Sequence, residues 1–336
     1  MLAEPSSGAR RGPLALSAYQ YLLADAGFRS GHRPDIVVSA GRPGLSRGQT
    51  ALLRDVGAAR HVVLAQGPGR WSDPARTATD VAAQVRLTGG PAEGGAAGAA
   101  AEVAGGTGGW AASWLRADRA VRQAVDGMLD AAEMLSEPRL ARDVSAALPD
   151  GALLWAASSL PIRDLDQHLA PRNGLRILAS RGASGIDGLV SSAIGAALAH
   201  QARGGGPAAA LLGDLAALHD AAGLFLGPQD QRPDLLLIIV NNDGGGIFSM
   251  LEQAAFPLPF ERVFGTPHGA RFADLAAAAG VPYRRIERPG DLAAELSALA
   301  TRGSGLRLAE LRTDRAGQAA LRARLATVAA AAVAAV

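Results

Sequence analysis

Two apolar runs that stop abruptly at polar residues place the strongest constraint on this fold. Residues 208–214 read Ala-Ala-Ala-Leu-Leu-Gly-Asp, and residues 235–242 read Leu-Leu-Leu-Ile-Ile-Val-Asn-Asn. Runs without polar alternation are typical of strands buried on both faces of a parallel sheet. Because such strands end at the edge where open α/β sheets bind ligands, the sequence predicts that Asp214 and Asn242 meet at that edge.

The residue types at this edge indicate a hard divalent metal. One carboxylate and one amide oxygen, completed by water and phosphate oxygens, suit Mg²⁺ better than a softer metal. A plainer interpretation stays open, in which Asp214 caps the following helix and residues 241–244 form a turn.

Strand and helix patterns alternate along the chain, which predicts an α/β fold with two doubly wound parallel-sheet domains. We predict a first domain over residues 1–148 and a second over 149–336, with a flexible Gly- and Ala-rich loop at 89–109 in the first. The predicted strands are 35–40, 61–66 and 81–87, then 151–158, 175–180, 208–213, 235–241, 283–286 and 306–312. A helix over 14–28 and an irregular segment over 243–271 are also predicted.

Composition excludes several classes of function. The 336 residues contain no Cys and carry a formal net charge of +2, and every basic residue is Arg because Lys is absent. Thiolate chemistry, disulfides, a Schiff-base lysine and a phosphate-binding P-loop lysine are therefore excluded. The charge balance indicates no nucleic-acid partner. The Ala-rich residues 325–336 are shorter than the roughly 20 that a membrane span needs, and the first residues lack a signal-peptide core, so we expect a cytoplasmic protein.

The segment Gly213-Asp214-Leu215, followed after residues 216–240 by Asn241-Asn242-Asp243-Gly244, resembles the thiamine diphosphate motif. In that family the motif holds Mg²⁺, or Mn²⁺, against the cofactor diphosphate. The resemblance implies that Asp214 and Asn242 are side-chain ligands and that the Gly244 carbonyl is a third ligand. It also implies that the backbone amides near Gly213 and Leu215 face the phosphates and that Ile186 braces the cofactor.

Three blocks extend the resemblance to one family of thiamine diphosphate enzymes, the 2-succinyl-5-enolpyruvyl-6-hydroxy-3-cyclohexene-1-carboxylate synthases of menaquinone biosynthesis. The blocks are residues 159–164, 181–188 and 241–249, and residues 264–268 fit the same family. Such enzymes decarboxylate 2-oxoglutarate and add the succinyl semialdehyde unit to isochorismate.

The same resemblance implies roles for the substrate-binding residues. Arg163 and Arg181 would bind substrate carboxylates, since a planar guanidinium can donate two parallel hydrogen bonds to a carboxylate. Ser159 would donate a hydrogen bond from its hydroxyl beside them. Ile247, Phe248 and Leu251 would form the apolar wall, and Arg47, which we expect in a loop, matches a basic position near the substrate carboxylates. As isolated residues, each could also belong to an ordinary surface or core.

The family pattern further implies a middle domain over 1–148 and a diphosphate-binding domain over 149–336. We expect the chain to lack the pyrimidine-binding domain, whose Glu activates the cofactor, so no catalytic residue is assigned here. A separate polypeptide would supply that domain, or the chain would be inactive alone. Family sites form between two subunits, which implies a homodimer or a higher oligomer.

Other functions remain as alternatives. An acetolactate synthase or a 2-oxoacid decarboxylase would share Asp214 and Asn242 but would not need the two Arg blocks, and a non-catalytic diphosphate-binding remnant is also possible. A dinucleotide-binding oxidoreductase is disfavoured, since no strand is followed by Gly-x-Gly-x-x-Gly with a downstream acidic residue. His219 and His268 are interpreted as structural residues of a helix and a loop.

Overall fold

The computed structural model describes residues 1–83 and 109–336, apart from Pro43, Leu45, Val56, Ala58, Gln66, Pro68 and Arg302. Two compact units form: one contains Met1–Gly127 and Ala326–Val336, and the other contains Met128–Leu325. The division into domains that the sequence predicts at residues 148 and 149 stays a prediction. The predicted loop 89–109 lies outside the described residues except for Gly109.

The first unit contains a three-stranded parallel sheet in the order β1-β2-β3. Its strands are β1 (Ile36–Ala40), β2 (Arg60–Leu64) and β3 (Asp80–Ala82). The carboxylate of Asp118 accepts hydrogen bonds from the backbone N–H groups of Ser17 and Ala18, at 3.2 and 2.7 Å, just before the first α-helix. This buried contact fixes the start of the helix layer within the unit.

The second unit contains a six-stranded sheet in which every pair of neighbours is parallel, in the order β5-β4-β6-β7-β9-β8. Its strands are β4 (Leu153–Ala156), β5 (Arg176–Ala179), β6 (Ala208–Gly213), β7 (Leu235–Asn241), β8 (Tyr283–Ile286) and β9 (Leu306–Arg312). The chain leaves β5 on one side of β4 and returns as β6 on the other. This reversal creates the switch point at which open α/β sheets bind ligands, between the carboxyl ends of β4 and β6.

The described residues also form α-helices on the sheets and between the strands. They are α1 (Tyr19–Ala24), α2 (Ala26–Gly31), α3 (Arg47–Asp55), α4 (Trp110–Asp130), α5 (Glu137–Ala147), α6 (Leu160–His168), α7 (Leu189–Gln201), α8 (Asp214–His219), α9 (Pro257–Phe260), α10 (Phe272–Ala278), α11 (Pro289–Leu299) and α12 (Arg315–Ala334). Short 3₁₀ turns lie at Pro5–Ser7, Ala221–Leu224, Gly246–Met250 and Glu252–Ala255, and a π turn lies at Glu261–Gly265.

The core of the second unit lies on both faces of the central strands. On one face, alternate residues such as Leu153, Leu237 and Leu308 pack with α7 and α10 through Ala193 and Phe272. Every residue of β7 is buried. Continuous apolar sequence is the composition that burial on two faces requires, so the predicted parallel α/β architecture is confirmed.

The structure corrects two local predictions. The single helix predicted over 14–28 is wrong: the chain forms α1 and α2, since Asp25 lies between them with extended backbone and its carboxylate accepts the N–H of Phe28 at 2.6 Å. Arg47, expected in a loop, is the first residue of α3. Within the described residues, no helix combines the length and apolarity that crossing a bilayer requires.

Candidate functional site

A cavity of about 330 Å³ opens at the carboxyl ends of β4, β6 and β7 within the second unit. Most of the site residues predicted from the sequence line it. These are Ser159, Arg163, Ile186, Gly213, Asp214, Leu215, Asn242, Gly244, Ile247 and Phe248. Arg181, Leu251 and Arg47 are not among its lining residues.

Asp214 lines the cavity and is 2% exposed. Its Oδ2 accepts the backbone N–H groups of Asn242 and Gly244, at 3.1 and 2.8 Å. Its Oδ1 accepts the N–H of Leu215 at 2.7 Å. Gly213 is the N-cap of α8 and Asp214 is its first residue, so the alternative interpretation of Asp214 as a helix cap is wrong.

The hydrogen bonds of Asp214 leave one oxygen able to bind a cation. Oδ2 is surrounded by three donors, whereas Oδ1 accepts a single N–H and keeps another lone pair. Burial raises the pKa of Asp214, although these donors oppose the shift. A cation bound at Oδ1 would stabilise the ionised carboxylate in a place where burial disfavours it.

Asn242 contributes an oxygen without a hydrogen-bond partner. Asn242 is 7% exposed, and its Oδ1 is buried and accepts no hydrogen bond. Its Nδ2 donates to Oε1 of Glu137 at 2.9 Å. A buried acceptor without a donor costs about 1–3 kcal/mol, and a metal ion at the cavity would satisfy it.

The turn after β7 requires glycine at its narrowest point. Gly244 has a φ of +133°, and a Cβ there would lie 1.8 Å from the carbonyl oxygen of Gly265. A Cβ at Gly246 would lie 2.5 Å from Nδ2 of Asn242. The predicted third ligand, the carbonyl of Gly244, accepts the N–H of Gly246 at 3.0 Å and has a second lone pair.

His268 takes part in the site, which the sequence did not predict. Its Nε2 lies 3.2 Å from Oδ2 of Asp214, and its Nδ1 accepts the backbone N–H of Ala270 at 2.9 Å. Because Nδ1 is an acceptor, the ring proton is on Nε2 and the ring donates to the carboxylate. The loop is fixed by Asp243, whose Oδ1 accepts the N–H groups of His268 and Gly269. The pKa of Asp243 is lowered, and the hydrogen bond from the N–H of Gly269 is the largest cause.

Ser159 and Arg163 form the wall of the cavity that follows β4. Ser159 has a φ of +72°, in the left-handed region that non-glycine residues rarely occupy, and it precedes α6. The guanidinium of Arg163 donates to the carbonyl oxygen of Ser159 at 2.7 Å. The strained turn and this contact hold a cationic fork at the cavity wall.

The remaining predicted residues lie at different distances from the cavity. Arg181 Nη1 donates to Oγ of Ser184 at 3.0 Å, and Ser184 lines the cavity, so Arg181 contacts a lining residue. The Phe248 ring lies 5.3 Å from that of Phe264, centroid to centroid, and forms part of the apolar wall. Leu251 ends the 3₁₀ turn that carries Phe248. Arg47 belongs to the first compact unit.

The oxygen atoms that face this site fit a divalent metal with oxygen ligands. Within the part of the chain that the structure describes, no group of three or more His, Cys, Asp or Glu side chains could hold a metal ion. The available metal ligands are Oδ1 of Asp214, the unsatisfied Oδ1 of Asn242 and the carbonyl oxygen of Gly244. Three protein oxygens with open positions match Mg²⁺ that also binds a diphosphate.

Comparisons with known proteins agree with this geometry. Residues 163–308 match the family model described as "Thiamine pyrophosphate enzyme, C-terminal TPP binding domain". A solved structure from Mycobacterium smegmatis, assigned to the thiamin diphosphate-dependent enzymes, aligns with a TM-score of 0.52 at 17% identity. The alignment covers 83% of this chain and 49% of that one. This likeness supports the fold.

The fold and the site agree with the family model on the class: residues 163–308 match the C-terminal TPP binding domain of the thiamine pyrophosphate enzymes. Two of the chain's curated relatives carry the name 2-succinyl-5-enolpyruvyl-6-hydroxy-3-cyclohexene-1-carboxylate synthase. The relative from Thermobifida fusca is 55% identical over 99% of this chain and 56% of its own length. The relative from Saccharopolyspora erythraea is 40% identical over 94% of this chain and 53% of its own length.

The family resemblance inferred from the motifs is therefore confirmed. The chain spans about half the length of these relatives.

Proposed function

We propose that this chain is the cofactor-binding part of a 2-succinyl-5-enolpyruvyl-6-hydroxy-3-cyclohexene-1-carboxylate synthase. The enzyme would use thiamine diphosphate and Mg²⁺, or Mn²⁺, to decarboxylate 2-oxoglutarate and transfer the succinyl semialdehyde unit to isochorismate in menaquinone biosynthesis. One observation carries the proposal: the buried carboxylate of Asp214 and the unsatisfied Oδ1 of Asn242 line the same cavity. The names of the relatives support the choice within the class.

In this proposal the bound cofactor supplies the chemistry that cleaves and forms the carbon–carbon bonds, and the protein positions the reactants. Asp214, Asn242 and the Gly244 carbonyl would hold the metal, and the backbone near Gly213 and Leu215 would lie against the diphosphate. Holding the reactants in one geometry removes much of the entropy cost of a reaction between two molecules.

Substrate recognition would depend on other residues than those that hold the metal. Arg163 would pair with a carboxylate of 2-oxoglutarate or isochorismate, because a guanidinium binds a carboxylate through two parallel hydrogen bonds. Ser159 and Arg181 would add donors. Ile186, Ile247, Phe248 and Leu251 would exclude water, and Arg47 stays a predicted basic residue for the substrate carboxylates.

The remaining features of the proposal concern the whole enzyme. The part of the relatives that this chain does not match would contain a pyrimidine-binding domain with the activating Glu, and turnover would require it. The first 148 residues would be the middle domain and residues 149–336 the diphosphate-binding domain. The enzyme would be a homodimer or a higher oligomer, and it would work in the cytoplasm.

A paired substrate assay tests the proposed function. The chain would be combined with the pyrimidine-binding domain of a relative, and carbon dioxide release would be measured with thiamine diphosphate and Mg²⁺. We expect release from 2-oxoglutarate at least about tenfold faster than from pyruvate, because the pyruvate molecule lacks the second carboxylate that an Arg would bind.

The two substrates separate the proposal from its alternatives. Preference for pyruvate would indicate an acetolactate synthase or a 2-oxoacid decarboxylase. Cofactor binding without release from either substrate would indicate a non-catalytic remnant.

A further inference from the structure

Asn242 can present either its oxygen or its amide nitrogen to the cavity, and only one choice binds a metal. The two orientations differ by a rotation of the terminal amide that hardly changes its shape. A group outside the cofactor motif must therefore select the orientation.

Glu137 is that group in the structure. Its Oε1 accepts Nδ2 of Asn242 at 2.9 Å, although 105 positions separate the two residues. Ser136 caps α5 by accepting the N–H of Arg139 at 3.3 Å, so Glu137 lies in the first turn, where its residue is 2% exposed. A carboxylate can only accept, so it attracts Nδ2 and leaves Oδ1 for the cavity.

Glu137 is itself held in a buried network. Its Oε2 accepts Nη2 of Arg322 at 2.7 Å, and Arg322 also forms a two-bond ion pair with Asp164. The hydroxyl of Thr313 donates to Oε1 of Glu137 at 2.9 Å. Burial of Arg322 opposes its charge, yet Asp164 and Glu137 together raise the pKa of Arg322 above its ordinary value. The ion pair with Arg322 occupies Oε2 and leaves Oε1 to accept Nδ2 of Asn242 and the hydroxyl of Thr313.

The neighbouring Asn241 provides an internal comparison. Its Nδ2 donates to Oε1 of Glu310 at 2.6 Å, while its Oδ1 accepts the N–H of Asp243 at 3.1 Å. The side-chain oxygen and the side-chain nitrogen of Asn241 are thus both satisfied inside the protein. Asn242 has the same type of carboxylate partner, but its Oδ1 has no donor.

We propose that Glu137 is a positioning residue that fixes the amide of Asn242 with its oxygen towards the metal. This inference rests on the proposed function. Glu137 would touch neither the metal nor the cofactor, and it would act only by selecting the orientation of one ligand. Residues that orient metal ligands typically contribute about 10- to 100-fold to metal affinity.

Substitution of Glu137 by Gln gives a sharp prediction, because the two side chains have nearly the same shape. The positive charge of Arg322 attracts the Gln oxygen, which leaves the Gln nitrogen facing Asn242. Two donors cannot pair, so the Asn242 amide rotates and directs its nitrogen at the metal. The substitution should therefore remove metal coupling without creating a cavity.

The test measures how strongly Mg²⁺ promotes thiamine diphosphate binding. Calorimetry gives the Kd for thiamine diphosphate in EDTA and in saturating Mg²⁺, and the ratio of the two is the metal coupling. We expect Glu137→Gln to lower this ratio at least about tenfold. Asn242→Asp should lower it as well, because the new carboxylate faces that of Glu137.

The double variant, Glu137→Gln with Asn242→Asp, should recover the ratio to within roughly tenfold of the wild-type ratio. The Gln nitrogen can donate to one oxygen of the new Asp, and the other oxygen of that Asp can bind the metal. Thr313→Val removes a different donor to the same Glu137 oxygen and is the matched control. We expect its ratio to stay within about threefold of wild type.

Each outcome has a distinct meaning. A wild-type ratio of one would contradict the proposed function and leave the positioning role without a metal to serve. A normal wild-type ratio that Glu137→Gln leaves unchanged would overturn the positioning role alone. If circular dichroism shows that Glu137→Gln does not fold, Asn242→Asp and the double variant decide. A folded double variant without recovery would overturn the positioning role. An Asn242→Asp variant with wild-type coupling would overturn it as well.

Discussion

Oδ2 of Asp214 accepts a hydrogen bond from the backbone N–H of Asn242 at 3.1 Å, across 28 positions of sequence. The contact joins the residues that follow two neighbouring strands, β6 and β7. It places the carboxylate of one predicted ligand against the backbone of the other. A metal at this edge could therefore reach both residues, which is the requirement on which the proposed cofactor site depends.

His268 should strengthen metal binding through Asp214. We expect His268→Ala to reduce the Mg²⁺ coupling of thiamine diphosphate binding by about 10-fold, since Asp214 loses a donor that orients its carboxylate. His219→Ala is the control, because His219 is exposed at the end of α8. Calorimetry with and without EDTA measures the coupling, and equal coupling in the two variants would contradict the role of His268.

Gly244 should tolerate no side chain. Gly244→Ala adds a Cβ that collides with the Gly265 carbonyl, at a φ that L-residues rarely adopt. We expect the free energy of unfolding to fall by roughly 1–3 kcal/mol or more, as measured by urea denaturation. Gly195→Ala, inside α7 where a Cβ meets nothing within 4 Å, should instead raise it by up to about 1 kcal/mol. A harmless Gly244→Ala would refute the described turn.

Arg322 should stabilise the unit beneath the site. Arg322→Leu leaves the carboxylates of Glu137 and Asp164 buried without their cation, so we expect a loss of about 3–5 kcal/mol in the free energy of unfolding. Arg271→Ala breaks an exposed pair with Asp274 and should cost less than about 1 kcal/mol. Thermal or urea unfolding distinguishes these values. Similar small losses in both variants would mean that the buried pair contributes little.

The sequence predicted the central sheet well because its strands have a strong local signature. The predicted bounds 283–286 and 306–312 coincide with β8 and β9, and β6 and β7 begin where their apolar runs begin. Burial on both faces demands continuous apolar residues, and the parallel order follows from the alternation with helices. The edge where Asp214 and Asn242 meet follows from these two facts.

Long-range contacts account for what the sequence did not reveal. Glu137 reaches Asn242 across 105 positions, and His268 reaches Asp214 across 54. Neither contact leaves a periodic or motif-like trace, because it depends on how α5 and the loop after β7 pack in three dimensions. The helix predicted over 14–28 failed for a local reason, since Asp25 offers its carboxylate to the backbone and starts a new helix.

Arg163 should contribute to substrate recognition and not to cofactor binding. We expect Arg163→Ala to lower kcat/KM for 2-oxoglutarate by about 10- to 1000-fold, because a buried carboxylate would lose its bidentate partner. The Kd for thiamine diphosphate should stay within about threefold, because Arg163 lies on the wall after β4 and contacts Ser159. Steady-state kinetics and calorimetry separate the two effects. A loss confined to cofactor binding would contradict the assignment.

The most direct test of the metal site is calorimetric titration of the chain with thiamine diphosphate in Mg²⁺, repeated in EDTA and with Asp214→Asn. We predict binding in Mg²⁺ that weakens at least about 100-fold in EDTA, and a similar loss in Asp214→Asn, with the folding of the variant checked by circular dichroism. Equal thiamine diphosphate affinity for wild type in Mg²⁺, wild type in EDTA and Asp214→Asn would contradict the proposed site.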